Sequence, residues 1–193
     1  MKKTHILPDW AAVLRTFRPG DAREEAERRV MLSLLEREGD GLLSRENGFA
    51  HFTASAVIVN PSRDRTLMAF HKIYRSWAWS GGHADGERCP EAVARREAQV
   101  ETGITGLERL GGGAMSLEIL PVWAHVRRGE TVASHLHLNV SYLFLADDTV
   151  PLRTAPEENS AVAWLPVDAL GEYVSEPDMM PIYRRLLQRA NNC

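Results

Sequence analysis

The stretch "GGHADGERCPEAVARREAQVETGI", Gly81 to Ile104, constrains this chain more than any other. It opens on a glycine pair, crosses a polar loop, and then carries signals that agree on a helix over 90–102. Pro90 suits the first helical position, where its missing N–H costs nothing. Glu91 favours the positive N-terminal end, and Gly103 suits the residue that stops a helix. Glu91 and Arg95 are spaced as a favourable i,i+4 pair. On this helix Glu97 and Glu101 share one face. Two like charges at that spacing cost an isolated helix about 0.2–0.5 kcal/mol. A cation reverses the cost, because Mg²⁺ takes oxygen ligands and is held by one or two carboxylates plus substrate phosphates. Spacing alone equally fits a solvated acidic face with Arg95 and Arg96 as partners.

The surrounding chain alternates in type. The first 45 residues read as helical, with one short helix after Pro8 and a longer one opened by Asp21 as N-cap and closed by Gly39 and Gly41. From "HFTASAVIVN" the pattern turns to strands. "NPSRDR" supplies a turn, "TLMAFHKI" a second strand that closes a hairpin, and "SWAWS" a short strand feeding Gly81 and Gly82. After the helix, strands are expected at "SLEILPVWAHV", "SHLHLNVSYLFLA" and "ENSAVAWLPV", and a last helix near "MMPIYRRLLQRA". Helices and strands mix without strict alternation, so the class is α/β or α+β. A boundary near residue 45 separates an N-terminal helical extension, 1–45, from a main domain over 46–193.

Composition excludes several functions. With 193 residues, 44% hydrophobic and 25% charged, the chain reads as an ordinary globular protein. A formal net charge of −3 offers no basic field to a nucleic acid polymer or an anionic membrane. Its apolar runs are too short to span a bilayer, and "MKKTHILPDW" lacks the apolar core of a signal peptide. Cys89 and Cys193 are placed too unlike each other for a structural disulfide, so a cytoplasmic location is expected.

The opening stretch resembles the Nudix box, G-x5-E-x7-R-E-U-x-E-E-x-G-U, where U is bulky and aliphatic. In the register that starts at Gly82 and ends at 104, Gly82, Arg96, Glu97, Glu101, Gly103 and Ile104 match, and Ala98 is a small U. Arg88 and Val100 stand where the pattern has glutamates. Starting at Gly81 recovers Glu87 and Arg95 but misplaces Arg96, Gln99, Val100 and Thr102. The resemblance extends over roughly 48–170, through a Gly-Gly-His-Ala-Asp-Gly loop found in a bacterial subgroup.

The resemblance implies a Nudix fold, an α/β/α sandwich around a mixed β-sheet, with the box as loop–helix–loop. It implies a hydrolase that cleaves a diphosphate bond in a nucleoside diphosphate-linked or similar small molecule, with Mg²⁺ or Mn²⁺. Carried over by position, Gly82, Glu97 and Glu101 are the metal-site candidates. Glu158, six residues before Trp164, is the further acid, and Glu157 is its fallback. Glu97, Glu101 and Glu158 all remain open as the general base, while Arg96 and Gly103 are structural. Val100 removes one box carboxylate. Arg88 faces Arg96 with like charge unless Asp85 or Glu87 moves in, and those two acids could also supply metal oxygens. The alternative is therefore a weakened or inactive Nudix domain that binds a nucleotide-like ligand or a protein partner.

Other features are weaker. His135, His137, Asn139 and Ser141 alternate with apolar residues, which makes a strand with one polar face. That face either lies in solvent or lines a cleft. His-x-His suits zinc, but no third ligand is evident. Trp77, His83 and His137 are candidate substrate contacts, although Trp77 and Trp79 also fit a structural role. Cys89 sits at a helix start, which favours a thiolate, but no histidine partner marks it as a nucleophile. The family's isoprenoid diphosphate isomerases are set aside because Cys89 lies inside the box. The N-terminal helices either cover the cleft or form a homodimer contact.

Overall fold

The computed structural model describes residues 8–127 and 129–193. Helix α1 (Trp10–Thr16) and helix α2 (Ala22–Glu38) are capped by Asp9 and Asp21, whose carboxylates accept from the N–H groups of Ala12 and Glu24, each at 2.8 Å. A 3₁₀ turn, Gly39–Leu43, leads into strand β1 (Ala50–Val59) and then β2 (Arg65–His71). The expected hairpin forms, with β1 antiparallel to β2.

"SWAWS" does not form one strand. It divides into β3 (Ser76–Ala78), paired with β2, and β4 (Ser80–His83), paired with β1. Trp79 sits at the break. Its ring packs at a tilt against Tyr183, centroids 4.2 Å apart, and its Nε1 donates to Thr66 Oγ1 at 3.0 Å. Burying that indole anchors the chain as it changes partners. Helix α3 (Pro90–Thr102) follows and ends on Gly103 at φ +72°, a left-handed cap in which a side chain would also meet Arg153.

The later strands are β5 (Glu108–Leu110), β6 (Ser116–Val122), β7 (His125–Arg127), β8 (Glu130–Val132), β9 (His135–Leu145) and β10 (Asn159–Pro166), before helix α4 (Met180–Asn191). The sheet order is β10–β2–β1–β9–β5, with β3 on β2, β4 on β1 and β6 on β9. Strands β1 and β9 run parallel and the other pairs antiparallel, so the sheet is mixed. Strands β7 and β8 form a separate ribbon. The single strand expected from "SLEILPVWAHV" thus breaks after Val122, where Trp123 is 79% exposed.

Two apolar layers sandwich the sheet. Ala50, Phe52, Ala54, Ala56 and Ile58 of β1 face α1, α2 and α3, and Phe52 stacks on Trp10 at 4.7 Å. Val57 and Val59 face α4, against Ile182, Tyr183, Leu186 and Leu187. The helical extension is present but does not stand apart, because Trp10, Leu14, Met31 and Leu34 share the main core with β1 and α3. Glu24 adds a polar clamp. Fully buried on α2, it accepts from Arg189 of α4 at 2.7 and 2.8 Å and from Ser116 of β6 at 2.7 Å. No helix among the described residues is long and apolar enough to cross a membrane.

Candidate functional site

Alternation along a strand places His51, Thr53 and Ser55 on the same face as Val57 and Val59. The α4 side of the sheet is therefore apolar at one end of β1 and polar at the other. Strand β9 repeats the pattern in register, with His51 opposite His137, Thr53 opposite Asn139 and Ser55 opposite Ser141. The polar face of β9 is thus not a solvated one. Asn139 and Ser141 are buried, and Asn139 Oδ1 accepts from Thr53 at 3.1 Å and Ser55 at 2.9 Å. Behind them Glu118 of β6, fully buried, accepts from Asn139 and Ser141 at 3.1 Å each and from Arg185 at 3.1 Å.

This polar half-sheet floors a pocket of about 240 Å³ that Glu101 also lines, and it continues past Gly82, His83, His137 and Glu158 into a second pocket of about 600 Å³ lined by His51 and Glu97, the two making one cleft. Helix α1 and helix α2 contribute nothing to its lining. Glu97, Glu101 and Glu158 converge there, one carboxylate oxygen of each lying within 4.8 Å of the others. Each is held by a different device. Glu101 is 5% exposed and its Oε1 accepts from the Gly81 N–H at 3.0 Å. Glu97 accepts from Arg96 at 2.8 and 3.0 Å, while Arg96 also donates to the His83 carbonyl at 3.1 Å. Glu158 is carried by a loop that Asn159 hooks to the Glu101 carbonyl at 2.9 Å. Gly82 packs so closely that a Cβ there would fall 2.5 Å from Glu97 Cδ. Any side chain at 82 would displace the carboxylate.

Burial, against the Gly81 hydrogen bond and with the charges of Glu158 and Glu97 adding to it, pushes Glu101 up to about 8. No cation of the chain pairs with it among the described residues. The donor set is all oxygen, shared among carboxylates within reach of one ion, so it suits Mg²⁺ or Mn²⁺.

The remaining candidates fall differently. Val100 is 54% exposed, and Glu157 is exposed and outside the carboxylate group. Arg88 does not face Arg96 unrelieved, because Asp40 of the 3₁₀ turn pairs with it. Asp85 is engaged by Arg45, with one contact at 2.8 Å, and that hydrogen bond holds its carboxyl below the usual range. Glu87 caps α3, accepting from the Cys89 N–H at 2.9 Å. Neither loop acid joins the carboxylate cluster. The thiolate expected at Cys89 is opposed by burial, which pushes the thiol up despite the helix start. His83 and His137 line the cleft, whereas Trp77 meets Phe70 edge-on at 5.7 Å and packs toward the α4 core. Sequence reasoning missed His51 and Glu118. The period-two polar run His51–Thr53–Ser55 was the available signal for the first, and a lone glutamate in an apolar strand for the second.

The mixed sheet between helices, with the acids of a loop–helix–loop at its cleft, is the fold of the NUDIX domain, which residues 50–190 match. The chain belongs to the Nudix family of hydrolases. No curated protein sequence matches it. Among solved structures it is similar to a C. elegans Ap4A hydrolase in a binary complex, at 16% identity and TM-score 0.52 over 74% of this chain and 98% of that one. It is similar to the E. coli dihydroneopterin triphosphate pyrophosphohydrolase, at 15% identity and TM-score 0.53 over 74% and 96%. The NUDIX domain of Shewanella oneidensis NrtR complexed with ADP ribose aligns at 16% identity and TM-score 0.51 over 72% and 87%. At these identities the likeness is one of fold.

Proposed function

We propose that this protein is a divalent-metal-dependent hydrolase that cleaves a diphosphate bond in a nucleoside diphosphate-linked or similar small molecule. One observation carries the reading: Glu97, Glu101 and Glu158 converge within reach of one ion, and among the described residues the buried Glu101 has no cationic partner. Buried carboxylates gathered without counter-charge are costly unless a bound cation compensates them. Mg²⁺ or Mn²⁺ held there, with the Gly82 carbonyl as a further oxygen, would neutralise charge on phosphate oxygens and acidify a water.

The residues of the chain supply position. The Gly81 N–H fixes Glu101 and Arg96 fixes Glu97, so neither must be ordered when substrate arrives. Any of the three glutamates that lies within hydrogen-bond reach of the attacking water serves as general base. His83 and His137 lie on the cleft wall, where they can contact the substrate beyond the reacting phosphates. The structurally similar proteins named for Ap4A, dihydroneopterin triphosphate and ADP ribose support a nucleotide-like or pterin-like diphosphate.

Val100 in place of a box acid favours one second reading, a domain that binds such a ligand without turnover. A phosphate-release screen over nucleotide sugars, dinucleoside polyphosphates and nucleoside triphosphates, with Mg²⁺ or Mn²⁺, separates the two. Hydrolysis lost in Glu97→Gln and Glu101→Gln supports the enzyme. Ligand binding with no turnover on any of them establishes the second reading.

A further inference from the structure

Beside the carboxylates the cleft carries a second cluster of possible metal ligands. His51 from β1, His83 from β4 and His137 from β9 each present one ring nitrogen within 4.8 Å of the other two. Ring centroids lie 5.0 Å apart for His51–His83, His51–His137 and His83–His137. His135 stands beside them, its ring 4.9 Å from His51 and its Nε2 3.2 Å from His137 Nε2. The His-x-His strand motif therefore gains the partners that sequence alone could not supply.

Hydrogen bonding fixes which way the lone pairs point. His51 Nδ1 lies 3.1 Å from the Asn47 carbonyl, and His135 Nδ1 lies 2.8 Å from the Ala133 carbonyl. A carbonyl only accepts, so both Nδ1 atoms carry the proton. In the neutral rings the lone pairs sit on Nε2. His51 is 3% exposed, and its Nε2 is buried with no hydrogen-bond partner. A buried polar atom left unsatisfied is destabilising. A backbone carbonyl that anchors one ring nitrogen while the other faces a shared point is how proteins orient histidine ligands on a metal.

We propose that His51, His83 and His137 form a second metal site, separate from the carboxylate cluster, that takes a first-row transition-metal ion of the zinc class. Three imidazoles match the preference of Zn²⁺ and its neighbours, whereas the all-oxygen cluster suits Mg²⁺ or Mn²⁺. Tetrahedral binding at about 2.0–2.1 Å brings ligand nitrogens to roughly 3.3 Å. The three already present ring nitrogens within 4.8 Å of one another. Three neighbouring strands supply the ligands, so the site is largely preformed. This inference stands independently of the hydrolase reading, because it uses none of the box glutamates.

The full-length protein, stripped of metal and given one equivalent of Co²⁺ or Zn²⁺, tests it. The expected result is about one ion retained per chain after gel filtration, with the intense visible bands of tetrahedral Co²⁺. The Glu97→Gln/Glu101→Gln variant should keep ion and spectrum. His51→Gln, His83→Gln and His137→Gln should each weaken affinity at least about 100-fold. His83 is partly exposed, so H83Q carries the test if H51Q does not fold by circular dichroism. Retention of no ion by the wild type overturns the proposal. So does an ion lost in the glutamate variant but kept in the folded histidine variants.

Discussion

Two buried glutamates in this molecule have opposite surroundings. Glu24 is enclosed between α2, β6 and α4. Burial pushes its carboxyl up, yet hydrogen bonds from Arg189, the Gly20 N–H and Ser116 hold it below the usual range. Glu101 is almost as buried, receives one backbone N–H, and is otherwise faced by the negative charges of Glu97 and Glu158. The first acid has its counter-charge built into the fold. Among the described residues the second has none, and that missing positive charge is what the proposed metal site would supply.

The contrast can be broken at either end. Glu101→Gln should lower kcat by on the order of 10²–10³-fold and leave the metal-free protein at least as stable as the parent. A variant that keeps near-parental turnover would remove Glu101 from the site. Glu24→Ala should do the reverse. Stranding Arg189 should cost about 3–5 kcal/mol of unfolding free energy, read by denaturant titration, with kcat preserved where the protein stays folded. A loss of kcat without loss of stability would join the clamp to the site.

A smaller effect follows from pH. Glu101 titrates near 8 in the folded metal-free state against an ordinary 4.5. Between those values the folded protein holds a proton that the unfolded chain has released. The Glu101 contribution is therefore fully favourable below about pH 4.5 and is lost as pH rises toward about 8. The Tm of EDTA-treated protein should fall across that window, Glu101→Gln should flatten the fall, and Mn²⁺ should restore most at the alkaline end. A flat profile for the parent would mean Glu101 is compensated without metal. The smallest effect is expected from Val100→Glu. On the exposed flank of α3 a new carboxylate stays solvated, so calorimetry should register less than about tenfold tighter Mg²⁺ binding. A larger gain would place position 100 inside the ligand set.

Much of this organisation was legible in the sequence because its signals are local. Pro90 and Gly103 bound α3 within the chain itself, and Asp21 announces the start of α2. The facing of Glu97 and Glu101 needs only helical geometry. What escaped depends on partners distant in sequence. The polar faces of β1 and β9 can each be read from alternation, but nothing local says that the strands are neighbours in register, so His51 and His137 could not be brought together. Asp40, which relieves Arg88, lies outside the box altogether. The short strands β5, β7 and β8 escaped for another reason. They are brief, and Trp123 and Val126 are exposed, so no period-two burial marks that segment.

The parallel pairing of β1 with β9 also sets an order in time. The Thr53–Asn139 hydrogen bond joins residues 86 apart in sequence, and closing so long a loop is slow compared with forming α3. A growing chain that has reached Ile104 carries the complete box but only part of the cleft. Only when β9 docks is the cleft completed, as Asn139 and Ser141 join the floor and His137 joins His51 and His83. Competence to act on a ligand should therefore appear late in refolding, after the helical signal has already returned.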